Sequence, residues 1–248
     1  MPNTDTNTMQ AWITRLNSTS DELYETLNSF FQSEDIFSNY WANVDKSTAN
    51  QVDYYITDSI YLRLKIESGN NSTRVFSITA RCTTSSTTST AFSNTYNGCV
   101  SIYKVGYCMV LCVAGSTSSS ALSDYSKTAK IIIDSTNSGE GKSLFYSFAA
   151  SSSSLFDSSS SIPINLYTPY AASYSLKTAT DIAQIAPLKN NISGKEYDNL
   201  YGVLLTPTMN NFVSFNGKKW FFTSGMALPA GEEEPTPVYI DTVTPSSS

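Results

Sequence analysis

The sequence predicts a mainly β protein, a sandwich or barrel-like set of antiparallel sheets, with a short α-helical segment at its N-terminus. Three observations carry that expectation. The hydrophobic period is two from about residue 50 onward, the chain is rich in Tyr, Ser and Thr, and turn residues punctuate it at short intervals. At 248 residues it can bury one large core, with charged residues at only 15% and aromatic residues at 12%. Tyr and Thr suit half-buried pleated surfaces, and Ser, Asn and Gly suit turns.

The first 48 residues read as helix. Met9, Trp12, Ile13 and Leu16 recur at helical spacing, and Asn17-Ser18 breaks the run. Thr19 followed by Glu22 forms a capping-box pattern that opens a second stripe through Leu23, Tyr24, Leu27, Phe30 and Phe31. Ile36, Phe37, Tyr40, Trp41 and Val44 make a third. So many large rings need cover from another domain or subunit, which marks Trp12, Tyr24, Phe31 and Trp41 as expected interface residues.

Residues 49–230 read as the β-rich domain. Ile60, Leu62, Leu64 and Ile66 alternate with Tyr61, Arg63, Lys65 and Glu67, one buried face and one outward face. Further strands are expected over 52–57, 74–80, 99–105, 107–114, 129–134 and 143–149, and one short helix over 180–186 before Pro187. The sharpest local signal is Asn216-Gly217 between 211–215 and 218–223, because Asn-Gly supplies the positive φ angles of a tight hairpin. On its second strand Trp220 and Phe222 share a face opposite Phe221, so that face is expected to meet a partner. Hydroxyl tracts at 83–90, 116–120, 151–154 and 158–161 read as loops. Residues 231–248 read as a flexible tail with three consecutive glutamates and three prolines, in which 238–240 could add a strand to a neighbour.

Several chemistries lack their residues. There is no histidine, which removes Ser-His-Asp and Cys-His catalysis and His-ligated zinc. Gly139-Glu140-Gly141-Lys142-Ser143 after the strand-like 131–134 resembles a phosphate loop. The motif needs glycine where Thr136 stands, and the following Leu144–Phe148 alternates as a strand where a helix is required. A β-hairpin accounts for the whole stretch. Cys82, Cys99, Cys108 and Cys112 contain no Cys-x-x-Cys pair, which argues against structural zinc. Cys108 and Cys112 on one strand lie ~13 Å apart, too far to bond to each other. Reduced, buried thiols are expected, with Cys82 to Cys99 the one bridge worth testing. The acidic residues are scattered and nominate no catalytic pair, although a carboxylate-only glycosidase needs no histidine. No cofactor, metal or catalytic residue is assigned.

Net charge is −6, from 21 acidic and 15 basic residues. A nucleic-acid binder displaces counterions with a basic surface, and an acidic chain repels anionic membranes. Neither partner is expected. The N-terminus carries no signal-peptide pattern and no apolar run reaches the roughly 20 residues of a membrane span. Synthesis in a cytoplasm is therefore expected, with export only as part of a larger particle.

The C-terminal part carries a resemblance. Pro187 to Asn199, then Leu200-Tyr201-Gly202-Val203-Leu204-Leu205, then Phe215-Asn216-Gly217-Lys218-Lys219-Trp220-Phe221-Phe222-Thr223-Ser224-Gly225-Met226-Ala227-Leu228, resembles the ending of uncharacterised virion proteins of tailed bacteriophages. The resemblance is one of pattern over the last fifth to quarter of the chain. It implies a structural protein of the tail, baseplate or capsid periphery, located in the virion, whose partners are other virion proteins and copies of itself. It implies no catalytic residues. The alternative is a β-sandwich adhesin that recognises cell-surface carbohydrate on the host through Ser, Thr and Tyr loops.

Overall fold

The computed structural model describes residues 8–35, 37, 39–45, 49–56, 60–67, 74–82, 85–94, 98–114, 129–134, 144–149, 152–157, 185–189, 196–203, 211–223 and 226–241. The fold is mainly β, as the alternation predicts. One helix and three sheets account for the described elements, and no sheet closes into a barrel.

In chain order the elements are β1 (Gln10–Ile13), α1 (Ser20–Gln32), β2 (Asn39–Asp45), β3 (Ala49–Tyr55), β4 (Ile60–Glu67), β5 (Phe76–Cys82) and β6 (Ser85–Asn94). Then follow β7 (Cys99–Val105), β8 (Cys108–Ala114), β9 (Ala129–Asp134), β10 (Leu144–Ala149) and β11 (Ser152–Asp157). The last are β12 (Ile185–Lys189), β13 (Glu196–Val203), β14 (Asn211–Phe215), β15 (Lys218–Thr223), β16 (Met226–Gly231) and β17 (Val238–Tyr239).

A seven-stranded central sheet has the order β11-β10-β9-β8-β7-β1-β17. Its core strands are apolar almost throughout because both faces are covered. Val100, Ile102, Met109, Leu111, Ile131 and Ile133 face one way, into a cluster with α1 and the β2–β6 sheet. Tyr103, Val105, Cys108, Val110, Cys112 and Ile132 face the other way, against the β12–β16 sheet. A strand between two layers needs no polar face, which explains why 107–114 reads as a continuous apolar run.

The β2–β6 sheet is a five-stranded meander, and here the alternation is clean. Val52, Tyr54, Leu62, Leu64, Ile66, Phe76 and Ile78 are buried inward. α1 packs alongside them with Leu23, Tyr24, Leu27 and Phe31. Thr19 caps the helix as expected: its hydroxyl accepts from the Glu22 amide at 3.3 Å, and its own amide donates to the Glu22 carboxylate at 2.8 Å. The helix is tied down at both ends, by Arg74 to Asp21 and by Lys104 to Glu34 and Asp35 at 2.6 and 2.7 Å. The Tyr54 hydroxyl also donates to the Asn28 carbonyl at 3.0 Å.

Two of the three expected N-terminal helices are strands. Met9, Trp12, Ile13 and Leu16 do not form a helical stripe; β1 lies antiparallel to β7, with Trp12 opposite Ile102. The eight residues before the Asn17 break are too few for a stable helix, and the edge of the central sheet offers them a ladder. The third stripe is β2, antiparallel to β3. Tyr, Trp and Val favour strands, and pairing with β3 decides the outcome. Among the described residues of 1–48, only α1 is helical, while β1 belongs to the central sheet and β2 to the β2–β6 sheet.

Two further expectations change at the C-terminal end. Residues 185 and 186 of the expected 180–186 helix belong to the edge strand β12, in which Pro187 is tolerated because an edge needs fewer ladder donors; 180–184 lie outside the described residues. Val238 and Tyr239 do add a strand, but to this chain's own β1, in parallel. The Ile240 amide then donates to the Ile13 carbonyl at 2.9 Å. The start of the expected tail is thus clipped to the central sheet.

The Asn216-Gly217 hairpin forms as expected, with φ of 50° and 74° and Phe215 paired to Lys218. The β7–β8 hairpin turns through Gly106, whose φ of 54° fits the first position of a type II′ turn.

Candidate functional site

The six rings expected at an interface separate into three groups. Tyr24, Phe31 and Phe222 are enclosed, at 5%, 1% and 0% exposure. Tyr24 and Phe31, expected to meet a partner, are instead covered by sheets of the same chain, and Phe222, expected there too, packs with Ala227, Ile185, Tyr201, Val213 and Trp220 of its own sheet. Trp12 is half-buried and meets Phe30 edge-to-face at 5.3 Å. Trp41 stands opposite Asp53 in the β2–β3 register, and its side chain lies outside the described residues. Trp220 is half-buried, meets Tyr201 edge-to-face at 5.1 Å and donates from Nε1 to the Phe215 carbonyl at 3.3 Å.

Trp220 belongs to the outward face of the β12–β16 sheet. There Ile185, Tyr201, Val213 and Trp220, all half-buried, surround the fully buried Phe222 and Ala227. Phe221 turns the other way and stacks on Tyr103 at 4.3 Å, so the predicted division of the three neighbouring rings holds.

The second surface was not singled out from the sequence. On the outward face of the β2–β6 sheet, two cross-strand pairs form a two-by-two block. Tyr55 stands opposite Tyr61, ring centroids 5.0 Å apart, and Asp53 stands opposite Arg63. Arg63 grips Asp53 through Nε at 2.6 Å and Nη2 at 2.7 Å, and its guanidinium lies 5.5 Å from the Tyr61 ring centre. This ion pair is well covered although it projects away from the core: the side chains are 18% and 4% exposed for Arg63 and Asp53. The hydrogen bond to Asp53 raises the Arg63 pKa, against the opposing effect of burial. Burial, and then the Asp53 charge, raise that of the Tyr55 phenol. The signal available in sequence was the alternation Tyr61-x-Arg63 against Asp53-x-Tyr55, legible only once the register of β3 on β4 is known.

The thiols and the glycine loop belong to the scaffold. Cys99, Cys108 and Cys112 are buried and form no disulfide, and burial pushes the Cys99 thiol up to about 12. Cys99 therefore has no bridge to Cys82. Residues 135–143, with the phosphate-loop look-alike, lie outside the described residues. The strands on either side pair antiparallel, Asp134 opposite Leu144, so the strand–loop–helix order of a phosphate loop is not met. Among the described residues no three acidic or thiol groups gather as a metal site, and no helix is long and apolar enough to cross a membrane.

No family model, curated protein or solved structure matches the chain.

Proposed function

We propose that this chain is a non-enzymatic structural protein of a tailed-phage particle that acts by oligomeric assembly. The outward face of the β12–β16 sheet is one of its contacts with copies of itself or other virion proteins. The observation that carries this reading is the group of half-buried Ile185, Tyr201, Val213 and Trp220 on one outward face. Trp and Tyr are enriched where subunits meet, because a large ring gains contact area at little entropic cost. The same sheet holds the stretch that resembles virion proteins. The three-layer body also suits an assembly part, since its described residues are spent on stacking sheets.

Sedimentation velocity of the purified chain tests the reading. A concentration-dependent oligomer is expected, and Trp220→Glu is expected to weaken it at least tenfold. Antibody labelling of purified particles supplies the location. A chain that stays monomeric at high concentration and labels no particle overturns the proposal.

A further inference from the structure

We propose that β17 is an exchangeable strand: on association, residues 238–240 of one copy leave their own β1 and pair with β1 of a second copy. The inference rests on the reading that copies of this chain associate, but it uses a different edge of the molecule, and its test separates the two.

The clip is lightly held. β17 has two residues, pairs with Trp12 and Ile13, and leaves Val238 and Tyr239 60% and 67% exposed at the end of the central sheet. Beyond that pairing, the Ile240 amide donates to the Ile13 carbonyl at 2.9 Å, and the half-buried Ile240 side chain packs on the core cluster beneath α1. So short a pairing has to offset the conformational entropy lost by every residue it orders. β1 does not depend on it, because Gln10 to Ile13 are laddered to Lys104 to Ser101 of β7 on the other side. The acceptor edge therefore survives when the clip departs.

The linker favours that departure. Residues 232–237 form neither helix nor strand and start at Gly231, whose backbone lies beside Thr8 at a φ of 96°. An extended chain covers ~13 Å from Thr8 to Trp12, whereas Gly231 to Val238 can reach ~24 Å. Closure onto the same chain thus folds the linker back well short of its reach. Its composition opposes that: Glu232, Glu233 and Glu234 are all exposed and repel one another, and Pro235 and Pro237 stiffen the chain toward an extended form. Exchange lets the linker extend while the contacts of residues 238–240 are made again.

A second copy is the fitting occupant. The vacated edge presents the backbone groups and apolar neighbours that residues 238–240 already match, so an identical strand needs no new complementarity. Two copies that trade strands reciprocally close into a dimer and leave neither β1 edge bare.

Cross-linking of full-length variants tests this. Trp12→Cys and Val238→Cys chains are mixed without denaturant and oxidised; the two positions are ladder partners, within reach of a disulfide. A disulfide-linked heterodimer is expected on a non-reducing gel, well above the homodimer of either variant alone. Ile13→Cys with Tyr239→Cys repeats the test on the second ladder pair if Trp12→Cys does not fold. Ile240→Pro in the chain that donates the strand removes both the amide and the apolar anchor, and should abolish the heterodimer. Trp220→Glu in both chains should leave it in place. Absence of a heterodimer above the homodimer background overturns the exchange, whatever the wild-type chain does in sedimentation, which alone decides the assembly reading. A heterodimer that survives Ile240→Pro, or that is lost with Trp220→Glu, overturns the exchange as well.

Discussion

The two faces of the central sheet are both buried, but by different means. On the side of α1 and the β2–β6 sheet, aliphatic side chains from β7, β8 and β9 meet a helix and a meander, and ion pairs at the rim fix the helix. On the side of the β12–β16 sheet, thiols and Val from the same strands meet Leu200, Leu228 and Ala230, with Tyr103 stacked on Phe221. One sheet thus serves two cores, and its strands must satisfy both. Packing on the first side combines a helix with charged latches, and the second relies on ring stacking and small side chains. Loss of a single ring tests whether the two contribute equally.

Phe31→Ala and Phe221→Ala should each cost about 3–5 kcal/mol, the range for truncating a buried ring. Phe31 touches Phe30, Phe37 and Tyr54, and Phe221 touches Tyr103 and Phe212, so neither cavity can close easily. Urea denaturation measures both. A cost under about 1 kcal/mol for Phe221→Ala would show that the C-terminal layer adds little to the fold and that the two cores contribute unequally.

Alkaline pH separates the faces more finely. Burial raises the Tyr24 phenol on the helix side from 10.0 to about 12. The folded chain therefore keeps the neutral phenol where the unfolded chain has lost its proton. That contribution is whole below pH 10 and declines as pH rises through about 12, by about 2–3 kcal/mol for this one group. Tyr24→Phe should make the loss of stability between pH 10 and 12 less steep, read from melting temperatures across that range. Tyr103 on the other face is shifted in the same direction, again chiefly by burial, so Tyr24→Phe should leave part of the decline in place.

These contrasts were partly legible in the sequence. The alternation over 61–67 gave the right inward and outward residues, and Thr19 with Glu22 marked the start of α1. Asn216-Gly217 marked the hairpin. Each of these signals is local, carried by a few adjacent residues. What stayed hidden depended on partners far along the chain. Residues 9–13 and 39–45 carry apolar spacings that fit a helix as well as a strand, and only a neighbouring strand decides between them. The Tyr55–Tyr61 and Asp53–Arg63 block was invisible for a related reason: a slip of β3 by one residue against β4 would turn Asp53 and Tyr55 to the core and dissolve both pairs.

A double-mutant cycle on Tyr103 and Phe221 asks how much of the second face comes from the stack itself. Their rings are 4.3 Å apart and 30° from parallel, so a coupling of about 1 kcal/mol is expected beyond the lost area. Additive single and double changes would assign the cost to general burial. The layer would then be held by its area rather than by this pair.

The smallest effects test whether the layers unfold together. Thr19 caps the helix on one side of the central sheet, and Asn216 turns a hairpin on the other at a φ of 50°. Thr19→Ala should cost about 1 kcal/mol for the lost cap, and Asn216→Ala about 1 kcal/mol for forcing a Cβ-bearing residue without a local hydrogen-bonding side chain into the left-handed region. Both layers pack on β7, β8 and β9, so the physical expectation is one cooperative unit. Both variants should then lower a single transition by similar amounts, whichever probe is used. If Asn216→Ala instead splits the transition, with Trp220 fluorescence changing at lower urea than helical circular dichroism, the C-terminal sheet is a separable layer. The shared strands would then couple the two cores less tightly than their common backbone suggests.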